Sequence, residues 1–71
     1  MKMIAVNSLD LAAVGYDEST RTLRAELRTG SLFEYYDVPP KVFEGLLKAE
    51  TPWHFFKKRL YKGPYEFRKL V

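Results

Sequence analysis

Thr22-Leu23-Arg24-Ala25-Glu26-Leu27-Arg28, followed by Thr29-Gly30-Ser31 and then Leu32-Phe33-Glu34-Tyr35-Tyr36-Asp37-Val38, is the stretch that decides this fold. Its first segment alternates strictly. Leu23, Ala25 and Leu27 fall on one side, with Thr22, Arg24, Glu26 and Arg28 on the other. That is the pattern of a strand with one face on a core and one in water. Thr29-Gly30-Ser31 then turns the chain into a further strand, Leu32 to Val38. The loop length settles which aromatics are buried, because a slip of one residue moves every side chain to the other face. A two-residue Thr29-Gly30 turn would pair Leu27 with Leu32 and put Phe33 and Tyr35 on the polar side. A three-residue loop ending at Gly30, with the glycine left-handed, pairs Leu27 with Ser31 instead. Ala25 then faces Phe33, Leu23 faces Tyr35, and Arg24 lies opposite Glu34 on the outer face. This second register groups apolar with apolar and pairs opposite charges, so it is the one expected.

Working outward, Ala12-Ala13-Val14-Gly15-Tyr16 reads as the preceding strand, and Asp17-Glu18-Ser19-Thr20 as the turn that joins it to Thr22–Arg28. Four-residue closure there sets Val14 opposite Leu23 and Ala12 opposite Ala25, on the same apolar face. Downstream the period becomes helical. Pro39 and Pro40 suit a helix start, with Asp37 a candidate cap. Val42, Phe43, Leu46, Leu47 and Ala49 share one arc, and Lys41, Glu44 and Lys48 lie opposite. Gly45 sits mid-helix, where it costs about 1 kcal/mol relative to alanine. Thr51 as N-cap and Pro52 at the first position open a second helix to about Tyr61, which Gly63-Pro64 stops. Tyr65, Phe67 and Leu70 make a short extended tail. The expectation is a single α+β domain over residues 1–71: a three-stranded antiparallel meander, then two helices packed on one face.

Composition bounds the function. The chain has 71 residues and is 46% hydrophobic, which suits one small globular core and nothing larger. The absence of cysteine excludes a disulfide framework and a thiolate metal site. No apolar run approaches the roughly 18 residues of a membrane span, and Met1–Val6 is too short for the apolar region of a signal peptide. A cytoplasmic protein without membrane contact or cofactor is expected. The formal charge of +3 hides an asymmetry: residues 1–40 carry four basic and six acidic side chains, residues 41–71 eight basic and three acidic, or −2 against +5. The densest part is Lys57-Lys58-Arg59 with Lys62, followed by Arg68-Lys69.

On the second helix Trp53, Phe56 and Leu60 follow i, i+3, i+7 spacing and form the core stripe. Phe55, Lys58, Arg59 and Lys62 gather on the opposite side, with Lys57 and Tyr61 at the edges. An aromatic ring among cations is the arrangement needed to stack a base and neutralise its phosphates. The same residues fit a plainer arrangement, in which Phe55 packs beneath the Tyr65–Leu70 tail and the cations solvate the helix. The expected register turns Phe33 and Tyr35 toward the helices and leaves Tyr36 and Arg24 outside as secondary candidates, Arg24 being also placed to pair with Glu34. Catalysis has little support. A ribonuclease built on His54, Lys58 (one helical turn on) and Tyr61 would be general acid–base chemistry, but a histidine flanking the core is the simpler reading. The glycines at 15, 30, 45 and 63 are too scattered for a phosphate loop, and His54 has cations rather than carboxylates as neighbours, so no metal site is expected.

The run Gly30-x-x-Phe33-x-Tyr35-x-x-Val38-Pro39, with Ala49, Phe55-Phe56, Leu60 and Tyr65-x-Phe67, resembles the KTSC domain. That small bacterial and phage domain occurs at the C-terminus of some lysyl-tRNA synthetases and as stand-alone short proteins. Ser8, Val14-Gly15-Tyr16-Asp17 and Leu23 resemble its N-terminal part, so the likeness covers nearly the whole chain. Three positions depart from the pattern. The central pair, typically Tyr-x-Tyr, is Phe33-x-Tyr35; Thr51-Pro52-Trp53 replaces a glycine-containing segment; and Lys57 stands where the family has Asn, so any polar contact of that Asn is missing. The resemblance implies no enzymatic activity, and it implies RNA binding only through the synthetase context. The expected function is therefore a non-enzymatic binding module for nucleic acid, RNA favoured, using Phe55, Lys57, Lys58, Arg59, Lys62, Arg68 and Lys69. The alternatives are a protein-interaction surface of Phe55, Trp53 and the tail, or a pocket in which the same cations hold a small anionic ligand such as a nucleotide.

Overall fold

The computed structural model spans residues 1–71 and contains one antiparallel sheet of five strands in chain order. The strands are β1 (Met3–Ser8), β2 (Leu11–Asp17), β3 (Thr22–Leu27), β4 (Leu32–Tyr35) and β5 (Phe67–Lys69). Between β4 and β5 run α1 (Pro40–Lys48) and α2 (Pro52–Phe56), the latter continuing as a π-helical segment, Lys57–Tyr61. The three-stranded meander expected from the sequence is thus corrected to five strands, the α+β class standing. One added strand precedes the meander, and the other is the C-terminal tail.

The deciding β3–β4 hairpin has the expected register: Leu23 pairs with Tyr35, Arg24 with Glu34, and Ala25 with Phe33. Leu27 N–H donates to the Ser31 carbonyl at 2.9 Å across the loop, and Gly30 holds φ 95°. A Cβ at Gly30 would meet nothing within 4 Å, so it is the left-handed backbone alone that calls for glycine there. On the outer face Arg24 Nε donates to Glu34 Oε2 at 3.1 Å.

The first hairpin is displaced from its expected pairing by two residues. Val14 faces Ala25 and Tyr16 faces Leu23, because the strands continue to an Asp17–Thr22 pair. Asp17 Oδ1 accepts both the Ser19 N–H at 3.0 Å and the Ser19 hydroxyl at 2.7 Å, and Arg21 takes φ 55°, which moves the loop one residue on. A shift of two keeps each side chain on its face. A bulge between Leu11 and Ala13 then interrupts the alternation, and both Leu11 and Val14 are fully buried.

β1 pairs with β2 through Met3–Gly15, Ile4–Val14 and Ala5–Ala13, then slips before the Ser8–Leu11 pair. Its turn, Leu9-Asp10, contains no glycine, yet Leu9 and the nearby Asn7 sit at φ 49° and 50°. Arg28 supports this backbone from across the sheet by donating to the Leu9 carbonyl at 2.5 Å and to Asn7 Oδ1. At the other edge β5 pairs Phe67 with Tyr35, Arg68 with Glu34 and Lys69 with Phe33. Leu70 N–H donates to the Leu32 carbonyl at 2.7 Å, and Leu32 N–H to Val71 at 3.1 Å.

The core joins Leu11, Val14, Leu23, Ala25, Tyr35 and Val38 to Leu46, Phe56 and Leu60 of the helical layer. Tyr16 stacks on Phe43 of α1 (5.2 Å, 15°), and its hydroxyl donates to the Val38 carbonyl at 2.5 Å. Neither Asp37 nor Thr51 caps a helix with its side chain: Pro39 precedes α1, and Asp37 is a left-handed turn residue at φ 55°. The start of α2 is tied instead to β1 by Trp53 N–H donating to Ser8 Oγ at 3.1 Å. Gly45 has a packing reason. A Cβ there would lie 2.9 Å from Phe55 Cζ, so the glycine lets the Phe55 ring lie against α1. No helix is long and apolar enough to cross a membrane.

Candidate nucleic-acid interface

The π-helical segment sets the geometry of the basic side chains. Lys62 N–H donates to the Lys57 carbonyl at 3.0 Å, an i to i+5 bond. That bond widens the turn, so residues five apart approach one column instead of diverging as they do on an α-helix. His54, Lys57, Lys58 and Lys62 consequently line one shallow cleft of ≈ 320 Å³. All four side chains are exposed, and no carboxylate lines the cleft. Arg24–Glu34 is the structure's only ion pair, so the three lysines have no acidic partner. Like charges at helical spacing repel by a few tenths of a kcal/mol per pair, a cost that a bound anion would remove.

The other sequence candidates lie elsewhere. Phe55 is half-buried against Gly45 rather than beneath the tail, and the Arg59 guanidinium lies 5.7 Å from its ring centroid. These two share a separate cleft of ≈ 350 Å³ with Lys41, Pro39, Val42 and Gly45. Arg68 is paired across from Glu34 on the outer face, and Lys69 shares the inner face with Phe33. Arg24 and Tyr36 both converge on Glu34, the Tyr36 hydroxyl donating to Oε1 at 3.0 Å. Hydrogen bonding by Arg24 holds the Glu34 carboxyl below its ordinary value against an opposing effect of burial, and Tyr36 and Arg68 add to the lowering. Burial and the hydrogen bond to Glu34 raise the Tyr36 phenol. The outer-face candidates are therefore engaged with one another, while Lys57, Lys58 and Lys62 have no carboxylate partner.

Sequence reading set His54 beside Lys58 but did not join it to Lys57 and Lys62 in one cleft, nor Lys41 to Arg59. It also did not find a third cleft, of ≈ 260 Å³, between the second helix and the β3–β4 hairpin, lined by Leu27, Phe33, Trp53, Phe56, Lys57 and Tyr61. Lys57 Nζ sits 5.7 Å from the Trp53 ring centroid at its rim. No three His, Asp or Glu side chains converge to hold a metal ion.

A five-stranded antiparallel sheet whose last strand returns after two helices defines a small α+β domain class, with one loaded helical face. Within that class the chain belongs to the KTSC domain family, whose model matches residues 7–65. The crystal structure of the KTSC domain protein YPO2434 from Yersinia pestis superposes with a TM-score of 0.89 at 26% identity, covering 99% of this chain and 97% of that one. A protein of Stutzerimonas stutzeri described as uncharacterized is 31% identical over 70 residues, 99% of each chain. A lysine–tRNA ligase of Nostoc punctiforme is 40% identical over 55 residues, which are 78% of this chain but 10% of the ligase. The chain thus spans about a tenth of that larger relative.

Proposed function

We propose that this domain is a non-catalytic module that binds single-stranded nucleic acid, RNA by preference, along the lysine face of its second helix. The observation that carries the reading is the convergence of Lys57, Lys58 and Lys62 on one cleft with no carboxylate among them. Such a face gains free energy from phosphates by releasing their condensed counterions. The preference for RNA draws support from relatives in Nostoc punctiforme and Trichormus variabilis that are named lysine–tRNA ligases and contain a similar segment. His54 in the same cleft adds a ring donor.

The test is a titration of a fluorescein-labelled single-stranded RNA at several salt concentrations, read by anisotropy. Three phosphate contacts give a log–log salt slope of roughly −2, at about −0.7 per contact on a single strand. Changing Lys57, Lys58 and Lys62 together to Gln should bring that slope close to zero and weaken binding throughout. Undetectable binding at low salt, or binding indifferent to salt and to the three lysines, would contradict the reading and favour a protein partner.

A further inference from the structure

The lysine cleft and the aromatic cleft share one residue, Lys57. From this juxtaposition we infer that the cleft between the second helix and the β3–β4 hairpin captures one unstacked nucleobase, while the adjoining phosphate lies on Lys57, Lys58 and Lys62. The inference rests on the nucleic-acid reading and adds to it a base-binding site and a mode of recognition.

Two features support it. Phe33, Trp53 and Tyr61 give the cleft aromatic walls over the buried Phe56, and its volume of ≈ 260 Å³ is below the range of drug-sized ligand pockets and suited to one small planar group. The apolar surface around it is left open although burying it would favour folding: Tyr61 is 55% exposed, and Phe67, which packs on Phe33 at 6.2 Å, is 52% exposed.

Charge selects the occupant. An uncharged apolar ligand would fill the aromatic walls and leave the lysines uncompensated, whereas a bare anion would use the lysines and leave the walls open. A nucleotide unit satisfies both, because its ring and its phosphate are joined at short range. A base already stacked in a duplex cannot enter, so single strands are preferred.

Trp53 is the only tryptophan, and it lines the cleft, so its fluorescence reports occupancy directly. The experiment titrates the full chain with a single-stranded RNA and with an abasic oligonucleotide of equal length, following Trp53 emission and, in parallel, anisotropy of labelled strands. The RNA should quench Trp53 saturably and bind about tenfold tighter than the abasic strand, within the range that one base–aromatic stack provides. Tyr61→Ala, at a largely exposed position, should remove most of that advantage, with circular dichroism checking that the fold is kept. Equal affinity for the two strands with Trp53 unquenched overturns base capture and leaves the lysine reading standing. Absence of binding by either strand at low salt overturns both.

Discussion

Tyr35→Phe isolates a single oxygen atom. The Tyr35 side chain is fully buried, stacked on Phe67 at 5.5 Å and edge-on to Phe56 at 5.6 Å, and its hydroxyl has no partner. The substitution keeps every ring contact and removes only the hydroxyl. A buried hydroxyl left unsatisfied costs about 1–3 kcal/mol, and the void left by its removal, smaller than a methyl group, costs under about 1 kcal/mol. The variant should therefore be more stable by about 1 kcal/mol at pH 7, raising Tm by roughly 4–8 °C in a chain of this size. Burial above all, with a further contribution from Tyr61, pushes the Tyr35 phenol up to about 12. The folded chain thus keeps its proton to higher pH than the unfolded chain, whose tyrosines ionise near about 10. The associated stability is complete below pH 10 and is lost as pH rises from 10 toward 12. Tyr35→Phe lacks this alkaline loss, so its advantage should widen over that window. Urea unfolding followed by far-UV circular dichroism at pH 7 and at several points above pH 10, at fixed ionic strength, measures both effects. A variant destabilised by 1 kcal/mol or more at pH 7, or an advantage that narrows in alkali, would show that the hydroxyl contributes to folding and would refute the reasoning.

Gly45→Ala and Phe55→Ala form a cycle in urea unfolding. The Gly45 substitution should be neutral or destabilising when the Phe55 ring is present, yet gain up to about 1 kcal/mol of helix propensity once it is gone; equal effects in both backgrounds would deny the contact. Glu34→Gln should cost about 0.2–1 kcal/mol at pH 7. Because the folded carboxyl is lowered, the wild type should lose that increment as pH falls below the ordinary value of 4.5, and a stability profile of the variant should lack the loss. Deleting residues 67–71 removes the hydrogen bonds to Leu32 and the Phe67 ring over Tyr35, and should cost about 2–4 kcal/mol in the same assay. A change within about 0.5 kcal/mol would make those residues a tail rather than a strand.

What the sequence disclosed depended on how local the signal was. The β3–β4 register could be read because strict alternation, a glycine turn and one charge pair all favoured the same pairing. β1 was hidden by a slip after Ala5 and by a turn in which Leu9, not glycine, takes the left-handed backbone with support from Arg28, far away in sequence. β5 has three residues, and their strand character comes from β4 across the whole helical segment. The abundance of lysine on the second helix was plain from the sequence, but its arrangement was not. α-Helical spacing separates Lys57 from Lys62, and only the π hydrogen bond brings them to one cleft. Phe55 looked central to the basic face because its contact with Gly45 belongs to the packing of two helices, which a single-helix projection does not contain.

The most direct test of the lysine-face assignment is amide chemical-shift mapping of the isotope-labelled chain against a single-stranded RNA. The assignment predicts that perturbations concentrate on residues 53–62, with a second group at Leu27 and Phe33 where the aromatic cleft closes. Perturbations confined to the outer face around Arg24, Glu34 and Arg68, or none at saturating RNA, would contradict it.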